Sequence, residues 1–135
     1  MATRCNVRIF KTNKVRKPDF ILYHHCDGHP GGVGACLEEF ISENFKYCLY
    51  SDYLANALLK WSEDDGYRIA TEMAGDIDYY YDIFCDERMI RCYRCERRSE
   101  NGKIVHVTSL EYERIISYLT CVWCTCARTC NVSGN

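Results

Sequence analysis

Residues 20–34 read FILYHHCDGHPGGVG, an apolar run that enters a glycine-rich polar corner and then a segment of helical pattern. Glycines at positions 31, 32 and 34 allow positive φ angles and a close approach of the backbone to a ligand or another segment. A helix that begins here directs unpaired N–H groups at the corner, an arrangement that attracts anions. The alternative is that Asp27-Gly28 and Pro30-Gly31 serve only as turn residues between a strand and a helix.

Composition limits the chain to one domain and restricts its partners. The 135 residues are 47% hydrophobic, which is enough for one core and too little for a second. A formal net charge of −2 provides no overall positive field that could hold duplex DNA or an anionic membrane. Positive charge is concentrated in two segments, one with Lys11, Lys14, Arg16 and Lys17 and one with Arg88, Arg91, Arg94, Arg97 and Arg98. This distribution favours a small anionic ligand over a polymer.

Cysteine usage and the N-terminal sequence indicate the compartment. The first residues show no apolar signal-peptide segment, and no run has the length of a membrane span, so we expect a cytoplasmic protein. The 11 cysteines are an odd number, which favours reduced thiols over a disulfide framework. Several of them are expected to be small buried apolar residues.

Hydrophobic periodicity and turn residues predict nine elements. They are strands at 4–11, 19–26, 67–73, 77–85, 89–97 and 103–108, and helices at 33–45, 51–61 and 110–119. Ser51 and Ser109 are candidate N-caps, and Asn101-Gly102 is a hairpin signal. The order predicts an α+β fold, an antiparallel β-sheet with two to three helices packed on one face. Residues 1–120 are expected to form one ligand-binding domain, and residues 121–135 a cysteine-rich C-terminal tail.

Two CxxC pairs raise the question of zinc. Cys92 and Cys95, with Cys121 and Cys124, have a spacing that can enclose a tetrahedral ion. The first pair falls in a predicted strand, where residues three apart point to opposite faces. We therefore predict no metal ligands, and zinc binding stays open as an alternative.

Histidines raise the question of catalysis. His106-Val107-Thr108 resembles one half of the paired H-x-T signature of phosphoesterases that open cyclic phosphates. The second half is missing, because no Thr follows two residues after His24, His25 or His29. The symmetric acid–base pair of that chemistry is therefore absent from one chain. We predict no catalytic residues, no cofactor and no enzymatic activity.

Aromatic and arginine residues together suit a nucleotide. Aromatic rings stack on bases, and arginine binds phosphate through two parallel hydrogen bonds. The flat surfaces are offered by Tyr79, Tyr80, Tyr81, Phe84 and Tyr93, and the guanidinium groups by Arg88, Arg91, Arg94 and Arg114. The predicted ligand contacts are Phe84, Arg91, Tyr93, Arg94 and Arg114, with Asp27, Gly28 and His29 shaping the corner.

Three segments carry a family resemblance: LYHHCDGHPGGVG at 22–34, DIDYYY at 76–81 and MIRCY at 89–93. They resemble motifs of a family of small bacteriophage proteins, the Thoeris anti-defence proteins of the first type. In that family an Asp-Gly-aromatic-Pro corner opens the first helix, and a Gly-Asp-Ile-x-Tyr-x-Tyr strand pairs with one that ends in Cys-Tyr. The resemblance spans about residues 20–95.

The resemblance implies an immune-evasion protein that acts in the host cell cytoplasm. Such a protein binds and sequesters a cyclic ADP-ribose isomer, such as glycocyclic ADP-ribose, without cleaving it. The implied ligands extend to cyclic di- or trinucleotides, and the implied assembly is a homodimer or a higher homo-oligomer. One alternative is a zinc-stabilised protein-interaction module that inhibits a host protein and contains stoichiometric zinc. The other is a nucleotide-cleaving enzyme.

Overall fold

The structure is a computed structural model that describes residues 2–44, 50–61 and 66–116. It confirms the α+β fold, with one six-stranded sheet and two helices. The elements are β1 (Cys5–Phe10), β2 (Phe20–His24), a π-helical turn (Pro30–Gly34), α1 (Ala35–Glu43), α2 (Ser51–Trp61), β3 (Arg68–Ala70), β4 (Tyr79–Phe84), β5 (Met89–Glu100) and β6 (Lys103–Ile115). None of the described helices is long and apolar enough to cross a lipid bilayer. The predicted tail at 121–135 lies outside the described residues.

The strands lie in the order β3-β2-β1-β4-β5-β6, with β1 and β4 at the centre. Neighbouring strands are antiparallel except for β1 and β4, which run parallel with Val7 opposite Tyr81 and Arg8 opposite Asp82. The sheet is therefore mixed rather than wholly antiparallel. Parallel neighbours need a long crossover, and here the chain between β2 and β4 supplies it with both helices and β3.

Alternation along the strands gives the sheet two different faces. The helix face packs against α1 and α2 in one buried core, to which the strands contribute Val7, Ile9, Leu22, Tyr81 and Ile90, and the helices Leu37, Phe40, Ile41, Leu54 and Leu58. The opposite face carries neither of the two described helices, and we call it the open face. Its central residues are Asn6, Arg8, Phe10, Tyr80, Asp82, Phe84, Arg91 and Tyr93.

The glycine-rich corner between β2 and α1 closes by direct backbone contact. Asp27 takes a φ of 54°, and its carbonyl oxygen accepts a hydrogen bond from the Val33 N–H at 2.7 Å. A Cβ on Gly32 would lie 2.3 Å from the same oxygen. Gly32 is therefore required for close approach, while the positive φ falls on Asp27. The helical chain starts with the π-helical turn, so α1 begins at Ala35 and not at residue 33.

The predicted third helix at 110–119 is wrong in its described part. Lys103–Ile115 is a single strand that pairs with β5, with one register irregularity at Glu111, between the pairs Cys92–Tyr112 and Tyr93–Leu110. Asn101 and Gly102 have φ angles of 51° and 78°, which form the two-residue turn typical of hairpins. This turn determines the register of β6 against β5, and the pairing continues past residue 110, where the helix was predicted to begin. Pairing with β5 therefore outweighs the helical spacing of the apolar residues. Residues 117–119 lie outside the described part of the chain.

We expect Gly32→Ala to lower the free energy of unfolding by about 1–3 kcal/mol, because the added methyl group overlaps the Asp27 carbonyl oxygen. Urea denaturation followed by far-UV circular dichroism measures this change. Gly75→Ala is the matched control, since a Cβ there meets no heavy atom within 4 Å, and it should leave stability almost unchanged. Equal losses from the two substitutions would contradict the close-approach role of Gly32.

Candidate functional site

The open face carries stacked rings joined by a guanidinium group. Phe10 and Phe84 stack with ring centroids 5.0 Å apart, and Tyr80 and Tyr93 stack at 4.6 Å. The guanidinium of Arg8 joins the two pairs, at 5.2 Å from the Phe10 centroid and 5.1 Å from the Tyr80 centroid. The five residues come from the neighbouring strands β1, β4 and β5, on which alternate positions share a face.

Arg8 is fixed among the rings by Asp82. Its Nε and one terminal nitrogen donate to the two carboxylate oxygens of Asp82, each at 2.7 Å. The Asp82 side chain is only 5% exposed, and the hydrogen bond to it raises the pKa of Arg8 above its usual value. Binding Arg8 to a phosphate would leave the Asp82 carboxylate buried without its partner, which is costly. The pair therefore supports the site and does not bind the ligand.

Arg91 lies beside the rings and is held less firmly. Its guanidinium is 4.9 Å from the Phe84 centroid, and its Nε donates to Glu113 at 2.6 Å, a bond that raises the pKa of Arg91. The side chains are 30% and 45% exposed, so this ion pair contributes little to stability. A phosphate can replace the carboxylate on the same guanidinium. Together with Arg91, the five residues of the ring stacks form what we call the aromatic–arginine layer.

A groove of about 350 Å³ adjoins the layer on the open face. Tyr80 forms part of its lining and also belongs to the layer. The other lining residues are Met73, Ala74, Gly75, Ile77, Cys95, His106, Val107 and Thr108. Burial raises the pKa of Tyr80 and of the Cys95 thiol, so both groups are neutral at pH 7. A mostly apolar groove with a few polar groups is suited to a planar ring.

The corner residues Asp27, Gly28 and His29 lie on the other side of the sheet. The hydroxyl of Tyr81, a core residue of the helix face, donates to the Gly28 carbonyl oxygen at 2.7 Å. The N–H of Gly32, one of those expected to face an anion, donates instead to the His29 carbonyl oxygen at 2.9 Å. The corner therefore shapes the entry to the helices and shares no surface with Arg91.

The two remaining predicted contacts also belong to the helix face. Arg94 is an exposed residue opposite Tyr79, on the face of β5 that Arg91 does not occupy. Arg114 donates to Glu38 of α1 at 2.7 Å. The structure thus brings together three of the eight predicted residues, and these are Phe84, Arg91 and Tyr93. Phe84 is only 3% exposed, because it packs with Phe10 and Met89 in a small buried cluster, so it supports the site and offers no free ring face to a ligand.

Two members of the layer, Arg8 and Phe10, were absent from the sequence prediction. Arg8 and Phe10 alternate along β1 with the buried residues Val7 and Ile9. This alternation indicates that Arg8 and Phe10 share the opposite face of the strand. Their position beside the aromatic residues of β4 depends on the parallel pairing of β1 with β4. That pairing joins segments about 74 residues apart and leaves no local signal in the sequence.

The described histidines are either engaged or far apart. Nδ1 of His24 lies 2.6 Å from the Cys26 carbonyl oxygen, and Nδ1 of His25 lies 3.2 Å from the Tyr23 hydroxyl. His106 is on β6, and three strands separate β6 from β2. At about 4.8 Å a step, the two strands are about 19 Å apart. His106 therefore cannot act with His24 or His25 on one small substrate within a single chain.

The cysteines of the first CxxC pair point to opposite faces. Cys92 is buried on the helix face, where burial raises its pKa to about 11, whereas Cys95 lines the groove. The two thiols cannot share one metal ion in this strand. Cys121 and Cys124 lie outside the described residues. The part of the chain that the structure describes contains no group of three or more Cys, His, Asp or Glu side chains suited to a metal ion.

Comparison with models of protein families, with curated proteins and with solved structures finds no match to this chain. The candidate site therefore follows from the geometry of its own residues. It consists of the aromatic–arginine layer and the adjoining groove, which share Tyr80 and lie on the open face.

We expect Arg8→Ala to lower the free energy of unfolding by about 3–5 kcal/mol, because it leaves the Asp82 carboxylate buried and unpaired. Arg91→Ala is the matched control and should cost about 1 kcal/mol or less, since its ion pair is exposed. Urea denaturation measures both. The double substitution Arg8→Met, Asp82→Leu should restore most of the loss. A similar loss from Arg8→Ala and Arg91→Ala would contradict the supporting role of Arg8.

Proposed function

We propose that this protein binds a cyclic nucleotide immune signal on its open face and sequesters it without cleavage. The observation that carries the proposal is the exposed ion pair of Arg91 with Glu113, in which a phosphate can replace the carboxylate. Arg91 lies beside Phe84 and is two positions along β5 from Tyr93, which stacks on Tyr80. The ligand class, a cyclic ADP-ribose isomer such as glycocyclic ADP-ribose, comes from the resemblance to phage Thoeris anti-defence proteins. The proposal includes cyclic di- or trinucleotides, a homodimer or higher homo-oligomer, and action in the cytoplasm of the bacterial host.

The two parts of such a ligand match the two parts of the site. The adenine ring enters the groove against Tyr80, where stacking on an aromatic ring contributes about 1–3 kcal/mol. The pyrophosphate takes the place of Glu113 on the guanidinium of Arg91. Tyr80 is paired with Tyr93 on the neighbouring strand, and Arg91 is two residues along β5 from Tyr93. The backbones of Tyr80 and Arg91 are therefore about 8 Å apart, which is a separation that a nucleotide spans between base and phosphate.

Sequestration fits the chemistry of the site better than turnover. The Cys95 thiol and the Tyr80 hydroxyl stay protonated at neutral pH, because burial raises both pKa values. Among the described residues that line the groove, His106 is the one imidazole, and a single histidine does not supply the acid–base pair of a phosphoesterase. A sponge needs affinity and abundance rather than acid–base chemistry, and nanomolar binding corresponds to about −12 kcal/mol.

A second candidate function is a protein-interaction module that inhibits a host protein. It is favoured by the hairpin of β5 and β6, on which the large apolar side chains of Ile104, Leu110 and Ile115 are exposed. Exposed apolar residues in one segment are typical of protein-binding surfaces. In its zinc-stabilised form this candidate requires ligands from outside the described residues, and metal analysis of the purified protein would detect a stoichiometric ion.

We expect the purified protein to retain an intact cyclic ADP-ribose isomer from a panel that also contains cyclic di- and trinucleotides. The protein is incubated with the panel, separated from free ligand and denatured by heat, and the released molecules are identified by mass spectrometry. Recovery of cleaved product would identify an enzyme. An empty protein across the whole panel would overturn the proposal and favour the protein-interaction module.

Arg91→Ala should weaken binding of the retained ligand by at least about tenfold, since it removes a charge-assisted pair worth about 1.5–3 kcal/mol. Isothermal titration calorimetry measures the change. Arg98→Ala is the matched control, because Arg98 is on the same strand and forms an exposed pair with Glu96 on the helix face. Equal losses from both substitutions would show a general charge effect and not a site at Arg91.

A further inference from the structure

The outer strand β6 is a long edge, and its first half has little protection against pairing. It has 13 residues and is the last strand of the sheet, with no described strand beyond it. Residues 104–110 read IVHVTSL and contain no Pro, Gly, Lys, Arg, Asp or Glu. Ile104 is 71% exposed and Leu110 is 54% exposed. Monomeric proteins usually interrupt such an edge with charges, proline or bulges. In β6 the register irregularity at Glu111 and the charges of Glu111, Glu113 and Arg114 lie beyond this stretch, so residues 104–110 are suited to a partner strand.

The hairpin turn determines which backbone groups are free at this edge. In a two-residue turn the flanking residues, Glu100 and Lys103, exchange both of their backbone hydrogen bonds. The same pattern recurs at every second residue, so Val105 and Val107 bond to β5. The N–H and C=O groups of His106 and Thr108 therefore point outward from the edge, away from β5. The same holds for the backbone groups of Ile104 and Leu110.

We propose that β6 pairs antiparallel with β6 of a second copy of this chain, about a two-fold axis at Val107. This register places Ile104 opposite Leu110 of the partner subunit and His106 opposite Thr108 of the partner subunit, and each occurs twice. All four residues have outward backbone groups, so they form hydrogen-bonded pairs. Val107 meets Val107 of the partner subunit at the axis.

Charge and face both favour a second copy as the occupant. In this register Lys103 comes opposite Glu111 of the partner subunit at each end of the seam, which gives two pairs of opposite charge. Ile104 and Leu110 occupy the same face, because they pair with Ser99 and Tyr93, alternate residues of β5 on the open face. The exposed apolar side chains therefore cover each other across the axis, as a self-complementary interface requires.

The pairing continues the open face from one copy into the next. His106 and Thr108 line the groove, so the grooves of the two copies lie next to each other at the seam. The inference specifies the contact of the homo-oligomer included in the proposed function. It does not rest on ligand binding, because backbone pairing and apolar contact need no ligand.

The test is analytical ultracentrifugation of the full chain, whose monomer mass is 15.8 kDa. We expect the unmodified protein to sediment as a dimer or a multiple of one. Ile104→Lys with Leu110→Lys places like charges opposite each other twice and should raise the dissociation constant at least about tenfold. Ile104→Lys with Leu110→Glu places opposite charges at the same two points and should restore the dimer. The two positions lie about 20 Å apart along one strand, so rescue requires a second chain.

Ile69→Lys is the control, because Ile69 is an exposed residue of β3 at the other edge of the sheet and should leave the dimer intact. Far-UV circular dichroism establishes that each variant is folded. A monomeric unmodified protein would overturn the proposal. A monomer is the result expected if residues 117–135 or a different protein occupy this edge. A dimer that resists the double lysine substitution, or a folded Lys/Glu variant that stays monomeric, would also overturn it. Failure of ligand recovery alone would refute only the proposed function.

Discussion

The parallel pairing of β1 with β4 is the constraint on which the rest of the structure depends. It aligns Val7 with Tyr81 on the helix face and Arg8 with Asp82 on the open face. The first pair contributes to the core against the helices, and the second becomes the buried bidentate ion pair. One register therefore determines both the hydrophobic core and the positions of the rings around Arg8. A shift of one residue would exchange the two faces and place Asp82 in the core.

Local patterns were enough to predict most of the elements but not the arrangement of the site. The helix at Ser51–Trp61 and the turn at Asn101-Gly102 were predictable because their periodicity and turn chemistry are local. The strand at Lys103–Ile115 was mistaken in part for a helix, because its pairing with β5 is a tertiary effect. Arg94 was grouped with Arg91 by residue type, although three positions along a strand separate them onto opposite faces.

The candidate site combines parts that are firmly held with parts that are not. Arg8 and Asp82 are locked together at the centre of the open face, whereas Arg91 and Glu113 form a solvent-exposed pair beside Phe84. The groove adds a concave surface next to the rings, and β6 forms its outer side. This division separates the groups that maintain the fold from those that are available to a ligand. The glycine corner belongs to neither group, because its backbone hydrogen bonds lie on the helix face.

The same division makes the two ion pairs of the open face respond differently to ionic strength. At about 0.15 M salt the screening length is about 8 Å, and screening acts mainly on charges that contact solvent. The Arg8–Asp82 pair is largely shielded from that solvent, so added salt changes its strength little. The Arg91–Glu113 pair contacts solvent, so added salt weakens it, and under the proposed function the affinity of an anion for Arg91 falls in the same way. A single sheet face thus carries one salt-tolerant ion pair and one salt-sensitive ion pair.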